Sequence, residues 1–254
     1  MFFKDPKLNK ELTRIRYEGA RRRTLTVAEK NQLSTHYLAI RFRCDDFEGF
    51  ESLSEDDHIK LFLGGAPDAN GKPAMRDYTP RNWDKTAGTF DIEFALHDDP
   101  GPATAWAINA QPGDHIEIGG PRGSVVVGDG YDWYWLIGDE AALPAIGRFM
   151  QTRPQANIHA TIAVADADER ITLPSSQSHT TQWIYRPALL ATDPEPILNA
   201  ITKVPFPKGD GFIWIAAEAG VAKAVRELVE AKGHPANQLK AKGYWTHSGE
   251  SQTA

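Results

Sequence analysis

Apolar and polar positions alternate in short runs through the first half of the chain. They do so at residues 22–29 (RRTLTVAE), 36–43 (HYLAIRFR), 57–63, 89–96 (TFDIEFAL), 114–118 (DHIEI) and 123–127 (GSVVV). A period of two in β-branched and aromatic residues reads as half-buried strand, and the Gly, Pro, Asp and Asn clusters between the runs are turn material. About six such strands with one helical interruption predict a small antiparallel β-barrel. The interruption is 101–110 (GPATAWAINA), with Pro102 near the helix start and QPGD closing it.

After 128-GDGYD-132 the period changes. WYWLI (133–137), IHATIAVA, TQWIY, GFIWIAA and LKAKGYW are strand-like. Between them GDEAALPAIGRFMQ, PEPILNAIT and EAGVAKAVRELVEAKG carry helical patterns, the last stopped by Gly233. Continuous apolar strands alternating with helices predict a parallel sheet covered on both faces. The expected organisation is a six-stranded antiparallel barrel over 1–130 followed by an α/β domain over 131–254.

Composition changes little in this picture. Hydrophobic residues make up 41% and charged residues 24% of 254, ordinary globular usage. The N-terminal MFFKDPKLNKELTRIR lacks an apolar signal core, and no run reaches the ~18 apolar residues of a membrane span, so no stable membrane insertion is expected. The single Cys44 allows no internal disulfide, which fits a cytoplasmic setting. A net charge of -6 argues against nucleic acid as partner, and Arg21-Arg22-Arg23 reads as a solvated strand end.

Candidate chemistry concentrates at 76-RDYTPR-81. A tyrosine ring can stack on a flat heterocycle, an adjacent guanidinium can pair with phosphate through two parallel hydrogen bonds, and Thr79 offers a hydroxyl or N–H to a ring nitrogen. The bland alternative is a tight turn with solvated arginines. Gly101 and Pro102 open a helix whose free N–H groups favour anions, so Arg76 and that terminus make a two-sided clamp for a pyrophosphate. His97 can donate to the same group or stand as a surface histidine at a strand end. Trp106 reads as core. The glycine-rich 119-GGPRGS-124 lacks both P-loop and GxGxxG spacing.

The order RDYTPR, DIEFALHDDPGPATAWA, QPGDHIEIGGPRGS, GDEAALPAI and a terminal GYW resembles the siderophore-interacting proteins, flavin-containing ferric-siderophore reductases of the wider ferredoxin-reductase-like superfamily. The resemblance spans roughly residues 15 to 247. It implies FAD, held mainly by the barrel: Arg76 on phosphate, Tyr78 stacked on the isoalloxazine, Thr79 toward its N5 region. His97 and Gly101-Pro102-Ala103-Thr104 would hold the pyrophosphate, with Asp139, Glu140 and Ala142 on the adenine side. For Asp139 and Glu140, simple N-terminal helix charge is the alternative. The resemblance also implies basic residues around a pocket for an anionic ferric siderophore, at Lys60, Arg122 and Lys240, with Lys242 and His247 supplementing them. The bland alternatives are an edge-strand charge for Lys60 and a loop-pinning role for Arg122.

A parallel domain following a flavin barrel is where a nicotinamide cofactor docks, which makes Glu218 and Gly220 candidates. Asp166, Asp168 and Glu169 after IHATIAVA suit a ribose 2′-hydroxyl and repel a 2′-phosphate, so NADH is expected over NADPH, with a ferredoxin as a further possible donor. The implied activity is ferric-siderophore reduction with the cofactor carrying the chemistry and no catalytic side chain or protein metal ligand required. The competing readings are a general ferredoxin or free-flavin reductase and a non-enzymatic siderophore-binding protein.

Overall fold

The computed structural model describes residues 10–64, 75–96 and 100–246. The chain divides into two compact units, Met1–Gly128 and Asp129–Ala254.

The first unit contains β1 (Leu12–Arg16), β2 (Arg22–Ser34), β3 (Tyr37–Arg43), β4 (Ile59–Phe62), β5 (Met75–Tyr78), β6 (Pro80–Asp84), β7 (Thr89–Ala95), α1 (Pro102–Asn109), β8 (His115–Gly119) and β9 (Gly123–Val127). Seven of the strands form one antiparallel sheet in the order β5-β4-β8-β2-β3-β7-β6, and β1 pairs with β9 in a separate ladder. The edge strands β5 and β6 are separated in sequence by Thr79 alone. One residue spans at most about 3.6 Å, so the sheet must curl until its two edges meet there. Its concave side encloses Leu25, Ile40, Phe42, Ile59, Leu61, Phe90, Ile92, Phe94 and Ile118, all buried.

The expected count of six strands is corrected. β1, β5 and β6 lie outside the six alternating runs, and β9 belongs to the small ladder. Pro80 opens β6 at the sheet edge, where a missing N–H breaks no ladder bond. Asn82 then takes a left-handed conformation (φ 45) where the β6–β7 register shifts, its side chain bonding Asp91. A polar clip fastens β9 to the loop before β4: Asp57 accepts hydrogen bonds from Ser52, the Ser54 N–H and Ser124, and Ser124 also bonds Tyr17.

The second unit contains β10 (Trp133–Asp139), α2 (Leu143–Thr152), β11 (Ile158–Val164), β12 (His179–Tyr185), α3 (Glu195–Thr202), β13 (Gly211–Glu218), α4 (Ala219–Ala231) and β14 (Leu239–Trp245). The five strands are parallel in the order β12-β11-β10-β13-β14. Central β10 and β13 are buried at every position, as strands covered on both faces must be. The chain winds outward from β10 through β11 to β12, then returns to the other side of β10 with β13. The carboxyl ends of β10 and β13 therefore form the switch point at which open α/β sheets bind ligands.

Two local details shape that edge. β10 continues two residues beyond its apolar run, because Gly138 and Asp139 stay paired to β11. A Cβ on Gly138 would lie 2.5 Å from the Ala142 Cβ and 2.6 Å from the Ala216 carbonyl oxygen, so only glycine lets the following 3₁₀ turn (Glu140–Ala142) fold against β13. α4 is capped by Glu218, whose Oε2 accepts from the N–H groups of Gly220 (2.6 Å) and Val221 (3.1 Å), and the chain leaves it through Gly233 at φ 91. Among the described residues no helix is long and apolar enough to cross a membrane.

Candidate functional site

In the first unit the site grows from the β4–β5 pairing. Ile59 faces Tyr78, Lys60 faces Asp77 and Leu61 faces Arg76 across the ladder. Directly opposed residues share a face. Tyr78 and Arg76 therefore stand on the side of buried Ile59 and Leu61, while Lys60 and Asp77 stand on the other. The Tyr78 ring is half-buried against Phe94, centroids 4.6 Å apart, and Thr104 in the first turn of α1 bears on its hydroxyl. Burial pushes the Tyr78 phenol up to about 12, against the pull of Thr104 and the charge of Arg76.

Neighbouring residues of β7 link the RDYTPR strand to the helix start: Phe94 packs on Tyr78, and the Ala95 carbonyl accepts from Thr104. Gly101 caps α1 with extended backbone and no side-chain hydrogen bond, Pro102 follows, and no acidic residue occupies the first turn. Gly101 and Pro102 are exposed, whereas Ala103 and Thr104 are buried, Thr104 donating to the Ala95 carbonyl at 3.3 Å. A Cβ added at Gly101 would meet nothing within 4 Å among the described residues. Arg76 is exposed and donates to the neighbouring Met75 carbonyl. Thr79 is buried at the junction of the edge strands. His97 lies outside the described residues, as does His247.

The two arginines of RDYTPR part company. Arg81 is buried against Glu93, Nε to Oε1 at 3.0 Å. Burial raises the Glu93 carboxyl above its ordinary value, with Arg81 opposing. Arg81 is a structural residue of the β6–β7 pair.

Lys60 donates to Asp77 at 2.7 Å, with the His58 ring 3.8 Å from the same carboxylate. Lys60 also pairs with Gly119 on β8, and beyond it the loop through Gly120 (φ 92) and Pro121 carries exposed Arg122. Lys60 and Arg122 thus belong to one neighbourhood of the first unit. Lys240 is half-buried on β14 of the second, opposite Trp214.

At the carboxyl edge of the parallel sheet, the acidic candidates are turned toward the fold. Asp139 is 1% exposed. Its Oδ1 accepts from the Ala141 N–H (3.0 Å) and its Oδ2 from the Glu218 N–H and the Trp245 indole, both at 2.9 Å. Burial, then the charge of Glu140, push Asp139 up to about 7; Trp245, Arg186 and the Glu218 N–H pull it down. Glu140 is buried and bonded to Arg186 at 2.9 Å, and burial raises it too. Ala142 is fully buried, while Gly220 is exposed at the head of α4. Among the three acids after β11, Asp166 caps the 3₁₀ turn Ala167–Glu169, and Glu169 points inward to the Ala165 N–H; Asp168 is exposed. Arg170 follows, bonded to the Tyr185 hydroxyl at 3.1 Å and lying over Trp183.

Arg186, Trp245 and the Arg170–Tyr185 pair are functional candidates absent from the sequence reading. Tyr185 and Trp245 end β12 and β14, Arg186 follows β12, and Arg170 follows the turn after β11, so position after the carboxyl end of a strand is the signal that marks them.

Two family models match the chain: the siderophore-interacting protein family over residues 131–248 and the siderophore-interacting FAD-binding domain over 64–125. The NADPH-dependent ferric-chelate reductase of Escherichia coli is 31% identical over 88% of this chain and 92% of that protein. The ferric vibriobactin reductase of Vibrio cholerae is 26% identical over 88% and 89%. Among solved structures, a siderophore utilization protein from T. fusca superposes with a TM-score of 0.82 at 28% identity, covering 93% of this chain and 97% of the other. With both halves matched in order and near-complete coverage of these relatives, the chain belongs to the siderophore-interacting protein family.

Proposed function

We propose that this protein binds FAD on its first unit and reduces ferric siderophores with electrons from a reduced nicotinamide dinucleotide taken up by its second. One observation carries the reading: the Tyr78 ring packs on Phe94 while Thr104 donates to the carbonyl of Ala95, next to Phe94, so β7 sets an aromatic ring and the exposed Arg76 of its strand beside a helix N-terminus with no side-chain cap among the described residues. A phosphate-bearing planar cofactor needs those three parts. Bound FAD supplies the exchange between a two-electron donor and a one-electron metal acceptor.

The chain's own residues bind and orient. Arg76 and the N–H groups of the Gly101–Thr104 turn neutralise phosphate. Tyr78 offers its ring as a neutral phenol, since about 12 keeps it protonated through the working range. Thr79, fixed between β5 and β6, offers its backbone or hydroxyl to the ring's polar edge. His97 is the remaining phosphate candidate. On the adenine side the carboxylates of Asp139 and Glu140 are committed to the fold, so that segment would contribute backbone rather than charge. Glu218 likewise holds the head of α4, leaving exposed Gly220 as the close-approach position for a nicotinamide.

Lys60, Arg122 and Lys240 are the proposed cations for the siderophore. The Lys60–Asp77 pair is exposed on both sides, and such pairs are worth about 0–1 kcal/mol, so an anionic chelate can displace Asp77 at small cost. Fe(II) is held less tightly than Fe(III) by hard oxygen chelators, so reduction releases the metal. The test uses FAD-loaded protein under anaerobic conditions, a ferric catecholate and a ferrous-specific dye. Fe(II) should appear only when FAD, donor and chelate are all present, and faster than reduction of ferredoxin or free flavin. The double variant Lys60→Glu/Arg122→Glu, within the first unit, should slow turnover of the anionic chelate about tenfold, the low end of electrostatic steering, while a neutral chelate is unaffected. Equal slowing of both chelates removes the patch from the mechanism.

Donor preference turns on the loop after β11. Two of the three carboxylates behind the NADH expectation are occupied, Asp166 by its turn and Glu169 by the Ala165 N–H. That leaves Asp168 and Arg170 as the charges available to a ribose. Arg170 favours a 2′-phosphate, and the donor we favour is NADPH, in keeping with the name of the Escherichia coli relative. Arg170→Ala should lower kcat/KM for NADPH about tenfold or more, the worth of a charge-assisted hydrogen bond, and leave NADH within about twofold. Equal losses with both donors count against the assignment.

A further inference from the structure

We infer that Asp139 is a proton-linked positioning residue, a clasp that holds the Trp245 indole to the carboxyl edge of the parallel sheet. The inference rests on geometry inside the second unit, and only its kinetic arm rests on the function proposed above. Asp139 stands at the end of β10 and reaches the ends of both β13 and β14, through the Glu218 N–H and the Trp245 indole. All three of its partners are N–H donors. A carboxylate suits them, whereas a proton on Oδ2 competes with the two donors meeting there. The N–H groups of Ala141 and Glu218 are fixed by backbone; the indole is held by a side chain and is the one free to leave.

Burial and the charges facing Asp139 together set a neutral working range. Burial raises its affinity for a proton most and Glu140 on the following turn adds to it, while the Trp245 indole, Arg186 beyond β12 and the Glu218 N–H lower it. Arg186 is also the partner of Glu140, which feels Glu169 in turn, so one guanidinium serves both Asp139 and Glu140. The Glu218 carboxylate is spent on the head of α4. With a midpoint of about 7, the clasp is closed above neutrality and opens below it. The indole lies on the β13–β14 side of the switch point, so opening loosens the wall against which a nicotinamide dinucleotide would dock.

The test is an indole ¹H–¹⁵N spectrum of the full chain between pH 5.5 and 8.5, with Trp245 among the 7 tryptophans assigned by Trp245→Phe. Its resonance should titrate with a midpoint near 7 in the native chain and stay fixed in Asp139→Asn, whose amide oxygen still accepts the indole but takes up no proton. A Trp245 signal that does not move, or that moves equally in Asp139→Asn, overturns the inference. Should Asp139→Asn fail to fold, the carboxyl ¹³C signal of Asp139 decides: Trp245→Phe must raise its midpoint, and an unmoved midpoint is a refutation. In the FAD-loaded protein, KM for the nicotinamide donor should rise about two- to tenfold as pH falls through the same midpoint, the worth of one hydrogen bond. A titrating indole beside a flat KM supports the clasp and counts against the proposed docking edge.

Discussion

Replacing Arg81 by leucine is expected to cost about 3–5 kcal/mol of folding stability at pH 8, because it strands a buried carboxylate. Arg81 and Glu93 are each under a tenth exposed and meet at 3.0 Å, and the other Glu93 oxygen has no hydrogen-bond partner among the described residues. The penalty should depend on pH with a definite sign. Burial already raises Glu93 above its unfolded value, so its contribution is greatest below the unfolded pKa and is lost as pH rises through the folded one. Removing Arg81 raises the folded value further, so the variant is nearest to the native chain at acid pH and falls behind as pH rises. Urea unfolding at pH 5 and pH 8 measures this directly. The double variant Arg81→Leu/Glu93→Leu should recover most of the loss, since an apolar pair of similar size replaces an ion pair at little cost. A loss under about 1 kcal/mol at pH 8, far below the range for a broken buried pair, would show that water reaches Glu93 and that the junction at Thr79 is not pinned from this side.

The contrast between Arg81 and Arg76 shows where sequence reading stops. Both flank the same tyrosine and look alike as residue types; the difference is made by Glu93, which arrives beside β6 only through the β6–β7 ladder. The second unit was readable because strands buried on both faces are continuous apolar runs, and 133–137 and 211–217 are such runs. What escaped was the extension of β10 through Gly138 and Asp139, which depends on neighbours and not on apolarity. In the first unit, LTRIR alternates too weakly to announce a strand, and β9 is what makes it one. RDYTPR reads as a recognition turn, yet it supplies both edges of the curled sheet.

The candidate site was legible in the same uneven way. Ring, guanidinium and helix terminus are each marked by residue type; the sequence expectation pairs Arg76 with the α1 terminus, and the contact the structure shows near that terminus is made by Tyr78, through Phe94. The opposed faces of Lys60 and Tyr78 were not legible, because they depend on which residue of β4 meets which of β5. Acidic residues are the least legible. Glu218, Asp139 and Glu169 have the composition of ligand contacts, but each satisfies backbone N–H groups at a strand end. A buried N–H left unpaired costs about 1–3 kcal/mol, so the fold claims such carboxylates first.

Arg76→Ala is the variant that separates a phosphate clamp from a solvated turn. Arg76 is exposed and its hydrogen bond goes to the carbonyl of the preceding residue, so folding stability should change by less than about 0.5 kcal/mol. Affinity for FAD should nevertheless fall about 10- to 100-fold, because charge-assisted hydrogen bonds to an anion are worth about 1.5–3 kcal/mol. Arg76→Lys should recover part of this, keeping the charge and losing the planar two-point contact. The discriminating ligand is riboflavin, which has the ring and no phosphate: its weaker binding should be indifferent to Arg76 and sensitive to Tyr78→Ala. Titration of apo-protein with FAD and with riboflavin, followed by quenching of flavin fluorescence, reads all of these. If Arg76→Ala weakens both ligands alike, the guanidinium acts on the ring or on the fold of β5, and the phosphate then depends on the α1 terminus alone, where the dipole contributes about 0.3–1 kcal/mol at an exposed site.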